Sequence, residues 1–184
     1  MTTETLFQSG QAALNFAYRH SHGDYPSNLL GRAQKRGPAA AAPAPRGLDA
    51  AMAAGWVRQV IEGGAGHPGL PEPYRSVLLA KFSVDSHLNL AAKLRILEDV
   101  LALSLGTGLH KRRMVDLCVQ RYFGGTVICA GERRPIRQHQ VADWCDVSQQ
   151  TVSATYVKVK TWLAAKERTA MELVERELVR KGMV

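Results

Sequence analysis

Apolar residues recur at helical spacing along most of the chain, and polar or glycine-rich stretches separate the runs. Thr3 to Arg19 reads as an amphipathic helix with Leu6, Phe7, Leu14 and Tyr18 on one stripe. Ser21–Tyr25 reads as a turn closed by Pro26, after which Ser27 can cap a short helix through Ala33. Asp49 can cap a helix reaching about Glu62, which carries Met52, Trp56 and Val60, and Gly63–Pro73 is loop chemistry. Tyr74–Phe82 is expected to be helical, with Tyr74, Val77, Leu78 and Phe82 facing in. Ser86 is the expected cap of the next helix, whose Leu90, Leu94, Leu97 and Leu101 form an apolar stripe until Gly106 and Gly108 break it. His110–Phe123 follows, with Met114, Leu117, Cys118 and Tyr122 buried. The Gly-bounded link Gly124–Arg134 holds one short strand candidate, Thr126–Ala130. A last helix, Met171–Val179, sets Leu173, Val174 and Leu178 on one face for packing onto the core.

The expected fold is therefore mainly α. A helical bundle body covers residues 1–109, with a mobile linker near 34–49 where Pro, Ala, Gly and basic residues mix without apolar periodicity. Residues 110–184 form a DNA-binding region plus the C-terminal helix. Within that region Val141–Lys158 reads as a helix-turn-helix. Ala142 is small enough for a tight helix crossing. Cys145 and Val147 pin the turn on both sides of Asp146, which tolerates left-handed backbone better than most residues. Ser148 is the N-cap candidate of the second helix, and Val152, Tyr156 and Val159 make its inner face. Ser148, Gln149, Gln150, Ser153, Ala154 and Val157 are then the candidate base contacts. Glutamine can bond adenine N6 and N7 as a pair, serine serves several bases, and alanine fits a thymine methyl. Lys158 and Lys160 farther along, with Arg133, Arg134 and Arg137 ahead of the first helix, are candidate phosphate contacts.

Charge agrees with this placement. The 184 residues carry 24 Lys and Arg against 16 Asp and Glu, a net charge of +8, and the pI is about 9.7. Residues 1–109 hold 10 basic and 8 acidic side chains, and residues 110–184 hold 14 and 8, so the anion-seeking part is the C-terminal one. The odd set Cys118, Cys129 and Cys145 contains no CxxC pair and sits in apolar context, which suggests reduced thiols and a cytoplasmic protein. No signal segment and no membrane-spanning run is expected. His20, His22 and Asp24 make a polar turn rather than a metal site, because no further ligand cluster accompanies them. No cofactor is expected. Glu98 and Asp99 are adjacent and so point to different sides of a helix, and no nucleophile–base pair stands out, so an enzyme is not expected. Residues 1–109 are also too short and too poor in paired arginine for a recombinase catalytic domain.

Lys111–Leu163, with Gln120-Arg121-Tyr122-Phe123-Gly124 ahead of Val141–Val159, resembles region 4 of bacterial sigma factors, although the link Gly125–Arg134 is longer than in the sigma pattern. As a whole the chain resembles the phage-derived Q-type transcription antiterminators (AlpA-like), which are of similar length, basic and largely helical. Some members carry a zinc-binding Cys cluster; this sequence has none, which implies a zinc-free branch. The resemblance implies a protein that binds a double-stranded DNA element near a promoter. It would load onto paused RNA polymerase, with or without sigma factor, and suppress termination by restricting RNA exit. An ordinary helix-turn-helix activator or repressor acting at initiation is the alternative that the residues alone leave open.

Overall fold

A computed structural model describes residues 6–20, 47–64, 66–103, 109–129 and 131–184. Among these residues it is mainly helical, with seven helices and a two-stranded sheet. The helices are α1 (Gly10–His20), α2 (Gly47–Glu62), α3 (Tyr74–Phe82), α4 (Ser86–Leu101), α5 (Leu109–Tyr122), α6 (Gln138–Cys145) and α7 (Gln149–Arg180), and strands β1 (Thr126–Cys129) and β2 (Glu132–Pro135) lie between α5 and α6. The expected linker 34–49 lies outside the described residues except for its last three positions, Gly47–Asp49, which begin α2. The short helix at 27–33, His22 and Asp24 lie wholly outside them.

One buried apolar cluster runs from Phe7 to Met183. Its spine is α7, a single helix of 32 residues, about 48 Å long at 1.5 Å per residue. Sequence pattern suggests a short second helix and a separate Met171–Val179 helix, yet no glycine or proline lies between Gln149 and Arg180 and the helix runs through. Val152, Val159, Leu163, Ala170, Val174 and Leu178 form its buried seam. The helix packs against α1, α2, α3, α5 and α6. At its far end the Phe7 N–H donates to the Met183 carbonyl at 2.9 Å, which ties the two ends of the described chain together. Gly10 of α1 sits against α7 so closely that an added Cβ would lie 2.6 Å from Glu175 Cγ.

Packing sets the buried face of two body helices, and in α4 that face departs from the leucine stripe of the sequence. In α2 Met52 and Trp56 are exposed, and Ala50, Ala53, Ala54, Val57, Val60 and Ile61 are the buried face. In α4 Leu90 and Leu94 are exposed while Ala92, Ile96, Leu97 and Val100 go inside. The buried faces combine alanine, Ala50, Ala53 and Ala54 in α2 and Ala92 in α4, with β-branched side chains, which lets the backbones approach and pack tightly. Leu6, expected on the inner stripe of the first helix, is also exposed. The cap of α4 is Asp85 rather than Ser86. Its carboxylate accepts the His87 and Leu88 N–H groups at 2.8 and 3.1 Å.

Polar contacts fasten α7 to the body. Glu167 accepts the Tyr122 hydroxyl at 2.9 Å and pairs with Lys81, so one carboxylate joins α7 to α3 and α5. Burial, and then the bond to Glu167, push the Tyr122 phenol well above its ordinary pKa. No helix among the described residues is long and apolar enough to cross a membrane.

Candidate nucleic-acid interface

The candidate residues are set by two helix terminations of the same kind. Helix α5 ends at Gly124, whose φ is +73°, with the Gly124 N–H on the Arg121 carbonyl at 3.2 Å and the Gly125 N–H on the Gln120 carbonyl at 2.7 Å. A Cβ on Gly125 would lie 2.7 Å from that Gln120 oxygen, so the pair of glycines is required where the chain leaves α5. Helix α6 ends in the same way at Asp146, with φ 50° and ψ 51°. The Val147 N–H reaches back to the Ala142 carbonyl at 3.1 Å, the longer bond of the same motif. Asp146 thus occupies the left-handed position that its place in the sequence suggests.

Ser148 follows as the N-cap of α7, its hydroxyl accepting the Thr151 N–H at 3.1 Å and lying 2.9 Å from the Thr151 hydroxyl. At the start of α6, the Arg137 N–H donates to Gln140 Oε1 at 3.0 Å, the side-chain half of a capping box. The turn between α6 and α7 is therefore fixed by hydrogen bonds at both ends. Behind it Val141, Ala142, Cys145 and Val152 are all buried. Cys118 and Cys145 are free buried thiols. Burial pushes Cys118 up to about 11 and raises Cys145 as well, so both stay protonated and act as small apolar groups.

With 3.6 residues per turn and Val152, Thr155 and Val159 buried, Gln150, Ala154, Val157 and Thr161 project directly away from the body. All four are exposed, Val157 at 58%. Gln149, Ser153 and Lys160 flank this ridge on one side, Thr151 and Lys158 on the other. Ser153 is half-buried and the rest are exposed. Thr155, buried, takes the inner position that periodicity suggests for Tyr156, and Tyr156 is only half-buried.

Two open concavities lie beside the ridge. One is lined by Lys111 of α5 together with Ser148, Gln150, Thr151, Ala154, Thr155 and Lys158. The other brings Gln149 beside Arg137, with Arg121, His139 and Tyr156 among its walls. The Arg121 guanidinium stacks over the Tyr156 ring at 4.3 Å, and its Nη1 is buried without a hydrogen-bond partner. His139 and Thr161 were not singled out by the sequence, and Lys111 and Arg121 entered there only as part of the stretch Lys111–Leu163, with no contact role. Only tertiary packing brings α5 beside the first turns of α7, although the helical register alone could have pointed to Thr161.

Arg133 and Arg134 lie on β2, which pairs with β1 from Thr126↔Pro135 to Cys129↔Glu132. The single strand candidate Thr126–Ala130 is thus one arm of a hairpin. Arg134 is bound to Glu132 at 2.8 Å. No group of three or more His, Cys, Asp or Glu suited to a metal ion occurs among the described residues.

The arrangement offers amide, hydroxyl and methyl groups on one convex ridge with cations along both flanks. No family model, no curated protein and no solved structure matches the chain.

Proposed function

We propose that the protein is a sequence-specific DNA-binding factor whose α6 and α7 act as a sigma-region-4-like helix-turn-helix. The observation that carries this reading is the exposed ridge Gln150–Ala154–Val157 at the start of α7, held by the Asp146 turn and the Ser148 cap and flanked by Lys111, Arg137, Lys158 and Lys160. Gln149 and Gln150 are the amide readers of base edges, Ser153 bonds to a base at the flank, and Ala154 and Val157 meet thymine methyls. Ser148, whose hydroxyl is engaged in capping, supports the first turn and touches the DNA only at its edge. Arg134, Arg137, Lys158 and Lys160 meet the backbone, Lys111 joins them, and Arg133 approaches the DNA from the β1–β2 hairpin. The basic excess of residues 110–184 supplies the long-range attraction.

The further step, to antitermination, rests on the resemblance to Q-type antiterminators. Because α7 is one rigid helix from the reading ridge to the core of the body, DNA bound at Gln150 fixes the direction in which the body points. A body so oriented suits a factor that is delivered from a DNA element to RNA polymerase, where it narrows the RNA exit path and denies a terminator hairpin room to pair. The test is transcription in vitro on a template with promoter, binding element and intrinsic terminator. Added protein raises readthrough, and deletion of the element or the double change Gln149→Ala, Gln150→Ala removes the effect. Each Gln→Ala change alone costs about 1–3 kcal/mol at the specific site. A change in promoter output with a constant readthrough fraction would reject antitermination in favour of an ordinary regulator of initiation.

A further inference from the structure

We propose that the β1–β2 hairpin is a second DNA-reading element, which places Arg133 in the minor groove beside the major groove met by α7, with Ile128 against the sugar edges. This deepens the DNA-binding reading above and depends on it.

The hairpin is a fixed projection of the fold. At its base Val127 packs against the core, Ile136 is buried, and the Ile136 N–H donates to the Gly125 carbonyl at 3.3 Å. The pairing Val127↔Arg134 and Ile128↔Arg133 then sorts the side chains, since directly opposed residues share a face of the sheet. Val127 and Arg134 take the face toward the body, where Arg134 bends to Glu132. Ile128 and Arg133 take the outward face. Ile128 is 75% exposed, more than any other large apolar side chain described. Arg133 is exposed and has neither an ion-pair nor a hydrogen-bond partner among the described residues.

Position ties this face to the DNA. Pro135, Ile136 and Arg137, at the base of the hairpin, line the same concavity as Gln149. A duplex laid along the ridge of α7 therefore passes the hairpin. A phosphate contact alone would use Arg133 and leave Ile128 in water. The minor groove uses both: its floor carries the negative potential that draws arginine, and its walls are apolar sugar edges. A second copy of the chain is a poorer occupant, because a two-fold contact between these small faces brings two Arg133 charges into one patch with no acidic side chain among the described residues of the outward face to offset them.

The experiment uses the full chain and a duplex that it selects from a random-sequence DNA pool. In the base pairs flanking the α7 site, G·C is replaced by inosine·C, which gives the minor groove of an A·T pair and leaves the major groove unchanged. Affinity is read by fluorescence anisotropy. Inosine·C tightens wild-type binding about five- to tenfold. Arg133→Ala abolishes that response, Arg133→Lys restores part of it, and Ile128→Thr reduces it, while the circular dichroism melt of each variant stays that of wild type. Gln150→Ala weakens binding overall yet keeps the inosine response. An equal inosine response in wild type and Arg133→Ala overturns the minor-groove assignment, as does an Arg133→Ala loss that is the same on selected and scrambled DNA. In either case a retained Gln150 effect leaves the α7 reading standing. If the pool yields no preferred sequence, both readings fall together.

Discussion

The turn at Asp146 holds the exposed ridge Gln150–Ala154–Val157 in place, and a pair of substitutions there separates backbone geometry from side-chain chemistry. Asp146 stands at φ 50° and ψ 51°, the left-handed region. A non-glycine L-residue pays about 1–3 kcal/mol for that conformation, with Asp at the low end because its short polar side chain is tolerated there. Asp146→Val brings a β-branched side chain to the same φ and should cost about 1–2 kcal/mol more than wild type. Asp146→Gly removes the steric penalty but adds about 0.5–1 kcal/mol of backbone entropy in the unfolded chain, so it should be nearly neutral. For a chain of this size 1 kcal/mol moves Tm by about 2–4 °C, which puts the Val variant roughly 2–8 °C below wild type and the Gly variant close to it. Far-UV circular dichroism melts measure the difference. Anisotropy with the selected duplex should show the Val variant losing specific affinity, because the Val147 bond to the Ala142 carbonyl sets the exit of α6 and hence the direction of α7. A Val variant that melts with wild type would refute the strain argument. A Gly variant that falls as far as the Val variant would show that the Asp146 carboxylate, not the backbone angle, holds the turn.

Two further outcomes follow from side-chain placement. Lys111→Ala and Lys158→Ala should each lower the salt slope of DNA binding by about one without changing sequence preference, and a slope that stays fixed in an anisotropy salt series would remove these lysines from the backbone contact. At Glu72 burial opposes ionisation, but hydrogen bonds from Ser76 and Arg75 and the Arg75 charge hold the carboxyl below the ordinary carboxylate range. A lowered folded pKa gives stability that is present above the unfolded value and is lost as pH falls through the folded one. Glu72→Gln should therefore make the urea-unfolding free energy less steep below about pH 4.5. Asp99, raised by burial and then by the Glu72 charge, works in the opposite sense, and the same substitution relaxes it. Parallel acid limbs for wild type and variant would show that Glu72 is not coupled to folding.

Local chemistry made several elements legible from sequence. Tyr74–Phe82 is helical over the expected residues, Asp146 is left-handed, and Ser148 caps the following helix, because a cap or a turn is decided by a few adjacent residues. The outward positions Gln149, Gln150, Ala154 and Val157 follow from one buried anchor, Val152, and the fixed helical period. The sequence alone also determined the mainly helical class and the basic bias of the C-terminal portion. Tertiary structure decided which face each body helix buries. The leucines at 90 and 94 look like a core stripe, yet Ala92 and Ile96 meet the neighbour, since close approach between helices favours shape over side-chain hydrophobicity. It decided that α7 runs unbroken, because its middle, Lys160 to Thr169, is polar on the outside and gains its place from Leu163 in the shared core and from Glu167, which joins it to α3 and α5. It also decided the second arm of the hairpin: Glu132-Arg133-Arg134-Pro135 has no strand pattern of its own and becomes a strand only because Thr126–Cys129 supplies its hydrogen-bond partner.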